Sequence, residues 1–231
     1  DGVLYNKSKT ELLLYPYAKT DYAYYISDNV TSIDISLWVN NSLSEINVDS
    51  ANTTYSSENG VLLNKNKTEL IRYPVGKSDA KYAIPSSVTK IGALAFYNCN
   101  NIIDVELPSS ISKIEGCAFN HCGKLISVTI PAGVTEISEA CFAGCESLVS
   151  ITIPNGVTSI SEYAFVDTNI KNMVIPDSVT TIDSYAFACS SLEKINIPKG
   201  IAKLSRTVFI GCNSLKVIEV DPDNENYCSD E

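Results

Sequence analysis

Residues able to do covalent or metal chemistry are few in this chain: eight cysteines and one histidine among 231 residues. A thiol beside an imidazole can act as nucleophile and base, and the same groups hold zinc. His121 adjoins Cys122 and lies four positions after Cys117. Neighbours in sequence seldom converge in that way, because the pair needs a third group to orient the base. Cys117/Cys122 and Cys141/Cys145 have loosely metal-like spacings, but no C-x-x-C and no second histidine accompany them. Phosphate loops and G-x-S-x-G elbows are also missing. The expectation is a non-enzyme with no catalytic residues, no metal site and no cofactor. Two acidic or polar pairs remain, Asp104 with Glu106 and Glu45 with Asn47. On the outward side of the main strand they would form a small acidic patch.

The spacing of the cysteines says more than their chemistry. Cys99, Cys122, Cys145, Cys189 and Cys212 follow Phe96, Phe119, Phe142, Phe187 and Phe209 within a recurring block, I-P-x-x-V-T-x-I-x-x-x-A-F-x-x-C-x-x-L-x-x-I. The block anchors on Pro85, Pro108, Pro131, Pro154, Pro176 and Pro198, in steps of 23, 23, 23, 22 and 22 residues. A fixed period of that length specifies a solenoid whose repeats pack only on their neighbours. The ladder cysteines then read as small buried hydrophobes, one per turn; Thr168 takes their place after Phe165.

Within one repeat, Val134-Thr135-Glu136-Ile137 alternates like a short strand, and 139–144 reads as a turn or a single helical turn. Leu148-Val149-Ser150-Ile151-Thr152-Ile153 alternates again as the main strand, which Pro154 ends for want of an N–H. Stacked repeats place these strands about 4.8 Å apart in a parallel sheet. Residues 84–220 hold six regular repeats, and 26–58 a degenerate one with Val30, Ile33, Trp38, Leu43, Ile46 and Val48 at core positions. The segments 1–25 and 59–83 resemble each other at an offset of 58, as in Gly2-Val3-Leu4 and Gly60-Val61-Leu62. Each reads as an inserted β-hairpin. The whole of 1–231 is one solenoid. Residues 48–59 resemble 220–231, which suggests a piece of a longer array.

Ile-Pro-x-x-Val-Thr-x-Ile with Ala-Phe-x-x-Cys-x-x-Leu, clearest over 107–146 and 175–212, resembles the BspA-type leucine-rich repeat. That resemblance implies an α/β repeat solenoid: a right-handed superhelix with a parallel sheet, short helical turns and inserted hairpins. It also implies a secreted or surface-exposed protein that binds host matrix or cell-surface proteins without catalysis.

Composition narrows the partners. With 17 basic and 27 acidic residues the net charge is −10 and no basic block occurs. Such a surface repels nucleic acid and anionic membrane. No apolar run approaches the roughly 20 residues needed to span a bilayer. Two surfaces are candidates for binding. One is the outward side of the main strands: Glu45, Asn47, Asp104, Glu106, Ser127, Thr129, Ser150, Thr152, Asn172, Val174, Lys194, Asn196, Val217 and Glu219. The other is aromatic, made by Tyr17, Tyr22, Tyr24 and Tyr25 of the first hairpin unit, and suits sugar stacking as well as protein contact. The leading expectation is an adhesin or protein-interaction scaffold. A carbohydrate-binding module of a surface complex and an intracellular repeat scaffold are the alternatives, the latter because unpaired cysteines suit a reducing compartment.

Overall fold

The computed structural model describes residues 2–38 and 42–230, with Leu37 and Trp38 described by backbone alone. The expectation that the Trp38 side chain fills a core position lies outside the described residues. The chain winds as a parallel-sheet β-solenoid of about nine turns. Each regular turn has three sides, and each side is bonded to the next turn in its own way.

The first side carries the main strands. Lys81–Ala83, Asp104–Glu106, Ser127–Thr129 and Ser150–Thr152 pair in parallel, as do Asn172–Met173, Lys194–Ile197 and Val217–Val220, and Ala23–Ile26 with Glu45–Val48. Register is residue-for-residue, Val128 opposite Ile151 and Thr129 opposite Thr152. Side chains alternate across the strand, so the isoleucine and valine positions enter the core while serine and threonine face out. Proline then turns the chain: the carbonyls of Pro131 and Pro154 accept the N–H groups of Val134 and Val157 at 3.0 and 3.1 Å.

The second side holds two-residue strands, among them Glu136–Ile137, Ser159–Ile160, Thr181–Ile182 and Lys203–Leu204. The recurrent threonine before them has a structural reason. The hydroxyls of Thr158 and Thr180 donate to the carbonyls of Thr135 and Thr158, each at 3.2 Å, alongside backbone bonds of 2.8 Å.

The third side overturns an expectation. No helical turn forms at 139–144 or at its equivalents; the one helical element among the described residues is a 3-10 turn at Ile35–Trp38. The α/β description and the short helical turns therefore give way to an almost wholly β-structured coil. The cause is backbone geometry. Residues two before and two after each of the first five phenylalanines are left-handed: Leu94 and Asn98, Cys117 and His121, Ala140 and Gly144, Tyr163 and Asp167, Tyr185 and Cys189. With left-handed residues four apart, every second N–H points along the solenoid axis. Leu94, Phe96 and Asn98 donate to the carbonyls of Gly116, Ala118 and Asn120 in the next turn, at 3.3, 2.7 and 2.9 Å. The N–H groups between them close tight turns within the coil, such as Tyr97 to the Leu94 carbonyl at 3.0 Å. An α-helix would need consecutive right-handed residues bonded four positions back.

Inside this side runs the aromatic column. The rings of Phe96, Phe119, Phe142, Phe165, Phe187 and Phe209 stack at 4.9, 5.4, 5.7, 5.4 and 6.0 Å, nearly parallel. Tyr73 heads the column, 5.2 Å from Phe96.

Two buried clusters share the molecule. The larger runs from Val61 to Val208, and the smaller contains Leu12, Tyr15, Ile26, Val30, Leu43 and Ile46. The strand Val61–Asn64 is the wall between them. It pairs antiparallel with both Tyr55–Glu58 and Glu69–Arg72. Its alternation sends Val61 and Leu63 into the larger cluster and Leu62 into the smaller one. That explains three consecutive fully buried residues on a single strand.

Candidate interaction face

The chemistry-bearing side chains are arranged as structure. In the column beside the phenylalanines, the thiols of Cys122, Cys145 and Cys212 donate to the carbonyls of Phe96, Phe119 and Phe187 at 3.0, 3.1 and 2.9 Å. Cysteine serves here as a small apolar group that also satisfies the carbonyl of the previous turn. Thr168 does a related task, its hydroxyl meeting the Phe165 carbonyl at 2.9 Å. Cys189 is not a member of this column. The residue three after Phe187 is the buried Ser190, and Cys189 stands exposed at the left-handed position before it. The shorter loop of that repeat moved the cysteine out by one place. All eight cysteines are free thiols. Burial pushes Cys99 and Cys145 up to about 12, and raises Cys122 and Cys141 well above the usual thiol range.

His121 and Cys122 face opposite ways. The imidazole lies outside against the edge of the Tyr97 ring, 5.9 Å away, and over Gly144, where an added Cβ would meet Nδ1 at 2.5 Å. The Cys122 thiol is inside. This arrangement does not assemble a nucleophile with a base. No cluster of three or more metal-binding side chains occurs among the described residues.

The predicted binding residues divide into three groups. Glu45 and Asn47 are half-buried; Asn47 donates to Glu45 at 3.2 Å, and the Glu45 Cβ sits against Gly60. They belong to a separate two-stranded sheet and do not join the others on one surface. A second group is engaged with its neighbours. Asp104 pairs with Lys81 at 3.4 Å, so the expected acidic patch with Glu106 is half neutralised. Lys194 pairs with Glu219 at 2.6 Å. The Asn196 amide brackets the Ile175 peptide, accepting from its N–H at 3.0 Å and donating to its carbonyl at 3.1 Å, which extends the sheet past the short strand Asn172–Met173. The third group is Glu106, Ser127, Thr129, Ser150, Thr152 and Asn172. These side chains are exposed and hydrogen-bond to no protein group among the described residues.

Beside the third group runs a feature that the sequence reading missed. Ile103, Ile126 and Val149 are exposed one above another, joined by backbone bonds of 3.1 and 3.0 Å. With Lys124, Glu146, Ser147 and Asn169 they line a shallow groove of about 460 Å³. Val174 and Val217 add exposed apolar surface further along the same side. The signal was the residue just before each main strand, apolar at 103, 126 and 149 but charged at 171, 193 and 216.

The tyrosines split as well. Tyr24 is half-buried, hydrogen-bonded to Tyr5 and packed edge-on against Tyr15 at 5.2 Å; burial, then the Tyr5 contact, raises its pKa. It is a packing residue with one accessible edge. Tyr17, Tyr22 and Tyr25 are exposed. Tyr24 and Tyr25 line a groove of about 470 Å³ together with Tyr5, Lys9, Lys19 and Asp21, whereas Tyr17 and Tyr22 lie outside it.

A family model for the BspA type leucine rich repeat region, in six copies, matches residues 77–188 and 116–230. The fold is similar to a leucine-rich repeat protein from Eubacterium ventriosum, with a TM-score of 0.64 and 22% identity over 86% of this chain and 57% of that one. A leucine rich cell surface protein from Faecalibacterium prausnitzii gives 0.63 and 29% over 86% and 48%. A leucine-rich repeat protein from Bacteroides ovatus gives 0.60 and 32% over 71% and 45%. This chain thus spans about half the length of these solved relatives. No curated protein matches it. On its repeats, its stacked parallel strands and the family match over most of its length, the chain belongs to the BspA-type leucine-rich repeat family.

Proposed function

We propose that this chain is a protein-binding segment of a cell-surface protein, an adhesin-type scaffold whose ligand is a host matrix or cell-surface protein. Repeats of this family form interaction scaffolds, and one similar solved structure is described as a cell surface protein. The observation that carries the reading is the composite face on the central main strands. Ser127, Thr129, Ser150 and Thr152 offer hydrogen-bonding groups with no internal partner, next to the bare stripe of Ile103, Ile126 and Val149. An apolar strip rimmed by small polar groups is the composition of a protein contact. It lacks a large aromatic anchor, so single contacts are modest and gain strength through repetition.

A biosensor carrying this chain, challenged with a panel of matrix proteins, tests the reading. Ile126→Glu and Thr129→Arg each place charge on the face at an exposed position and leave the core intact. Either should weaken a saturable interaction by at least about tenfold, the equivalent of about 1.4 kcal/mol. Undiminished binding by both variants would place the ligand elsewhere.

The glycan reading keeps one observation in its favour, the groove of Tyr24 and Tyr25 with its two lysines. On that reading a glycan array, not a matrix panel, gives the signal, and Tyr25→Ala removes it. The intracellular reading has less support. Four of the eight thiols are shielded by burial, so their reduced state does not report the compartment.

A further inference from the structure

The coil 131–153, in the middle of the array, is joined to its two neighbours less completely than the other regular coils are. On the second side two bonds normally tie each coil to the one before it. Glu115, Ser161 and Asp183 donate their N–H groups to the carbonyls of Ile91, Ile137 and Ile160 at 3.0, 2.9 and 2.9 Å. Ser112 and Thr158 donate theirs to Thr89 and Thr135 at 2.9 and 2.8 Å. Neither bond is made between 112–115 and 135–138 among the described residues, and Lys113–Ile114 and Glu136–Ile137 belong to separate sheets. A gap of about 260 Å³ opens there, lined by Ser112, Lys113, Thr135, Glu136 and Ser138 among others. The Ser138 hydroxyl spans it, donating to the Ile114 carbonyl at 2.6 Å in place of the residue's own N–H.

The next junction is interrupted on a different side. Along the first side the residue before each main strand donates to the coil before: Val149 to Ile126 at 3.0 Å, Glu193 to Lys171 at 2.8 Å and Lys216 to Glu193 at 2.9 Å. Lys171 makes no such bond to Val149 among the described residues. Ser150–Thr152 closes one sheet, and Asn172–Met173 opens another. Ile151 shows the consequence. Its counterparts Val105, Val128 and Ile195 are buried, whereas Ile151 is partly exposed.

The third side runs through both junctions without a break. Phe96, Phe119, Phe142 and Phe165 donate to the carbonyls of Ala118, Cys141, Ala164 and Ala186 at 2.7, 2.9, 2.9 and 2.7 Å, and their rings stay stacked. The coil 131–153 is thus held to the coil before it on the first and third sides, and to the coil after it on the second and third sides. Stability in a solenoid is a sum of repeat and interface terms, and each of these two interfaces lacks the share of one side.

We propose that the coil 131–153 is a hinge of the solenoid, with the third side as its axle and the Ser138 hydroxyl as a latch across the first opening. A few residues absorb the change at such a hinge while the blocks on either side move as units. The two openings lie on different sides, so the array bends in two directions about one axle. Bending at the second opening tilts the part of the strand face at 103–152, which carries the apolar groove, against the part at 172–220. The hinge is a property of the chain without ligand and does not depend on the binding reading above.

Amide hydrogen exchange of the whole chain tests it at four phenylalanines, Phe96, Phe119, Phe142 and Phe165, which are buried alike and bonded alike on the axle. Their bonding alone predicts equal protection. Separating two coils far enough to expose these N–H groups breaks one side fewer at the hinge junctions. Phe119 and Phe142 should therefore exchange at least about tenfold faster than Phe96 and Phe165. Ser138→Ala should raise the Phe119 rate by a further factor of about five and leave that of Phe165 unchanged, while Ser138→Thr, which keeps the hydroxyl, should restore it. A common rate for all four, or rates that fall steadily from the ends of the array toward its middle, overturns the hinge. A Phe119 rate indifferent to Ser138→Ala overturns the latch.

Discussion

Each residue type in the repeat answers a separate physical demand. Phenylalanine supplies area and a flat face that repeats at a separation suited to stacking. Cysteine supplies a weak donor small enough to fit between the ring column and the next coil. The thiols have a measurable consequence. Burial leaves Cys99, Cys122, Cys141 and Cys145 protonated far above the usual range, while Cys189 and Cys228 are exposed. At pH 8 a disulfide-exchange reagent should titrate Cys189 and Cys228 quickly and the four buried thiols only in denaturant. Rapid modification of all eight would contradict the column. The folded thiols also hold their protons more tightly than unfolded ones. Their contribution to stability is intact below the unfolded pKa of about 8.5 and declines as pH rises from there toward the folded values. The residue identities were legible in the sequence because the period aligned them. The displacement of Cys189 was not, since a one-residue shorter loop shifts register without altering composition.

Among the elements, the hairpin wall has a second task. The axial N–H groups of the ladder on the phenylalanine side all point one way, so its first coil presents carbonyls that no preceding coil can satisfy. The hairpin supplies the donors. Tyr73 N–H meets the Ala95 carbonyl at 2.8 Å, and the Arg72 guanidinium, 1% exposed, donates to the carbonyls of Leu94 and Tyr97, the latter at 3.1 Å. A buried arginine is costly unless its donors are placed, and here they replace the missing coil. Arg72→Met keeps the volume and removes the donors. It should lower the stability measured by urea unfolding by about 1–3 kcal/mol, because the Tyr97 carbonyl loses its donor while the Leu94 carbonyl keeps the Tyr97 N–H. A change within experimental error would show that the Tyr97 carbonyl finds another donor. Strand positions were legible from alternation and proline. The third side was misread as helical because its left-handed positions are mostly not glycine. Leu94, Tyr163 and Tyr185 carry no turn signal of their own, and the tertiary ladder imposes the conformation on them.

At the scale of the molecule, one short period yields a long surface at little cost in sequence information. The repeat specifies the core, and the outward positions are left open to vary. That is why the fold could be read from the sequence while the face could be read only in part. Glu45, Asn47, Asp104, Lys194, Asn196 and Glu219 looked equivalent to Ser127 and Thr152 by position, yet the hairpin, salt bridges and a peptide clamp occupy them. The apolar stripe escaped notice because isoleucine beside a strand reads as core. The surface that remains is the central claim. Hydrogen exchange of the chain with and without its captured protein ligand tests it most directly. Protection gathered at 103–106, 126–129 and 149–152 is the predicted result. Protection confined to 17–27, with the strand face exchanging as before, would contradict it.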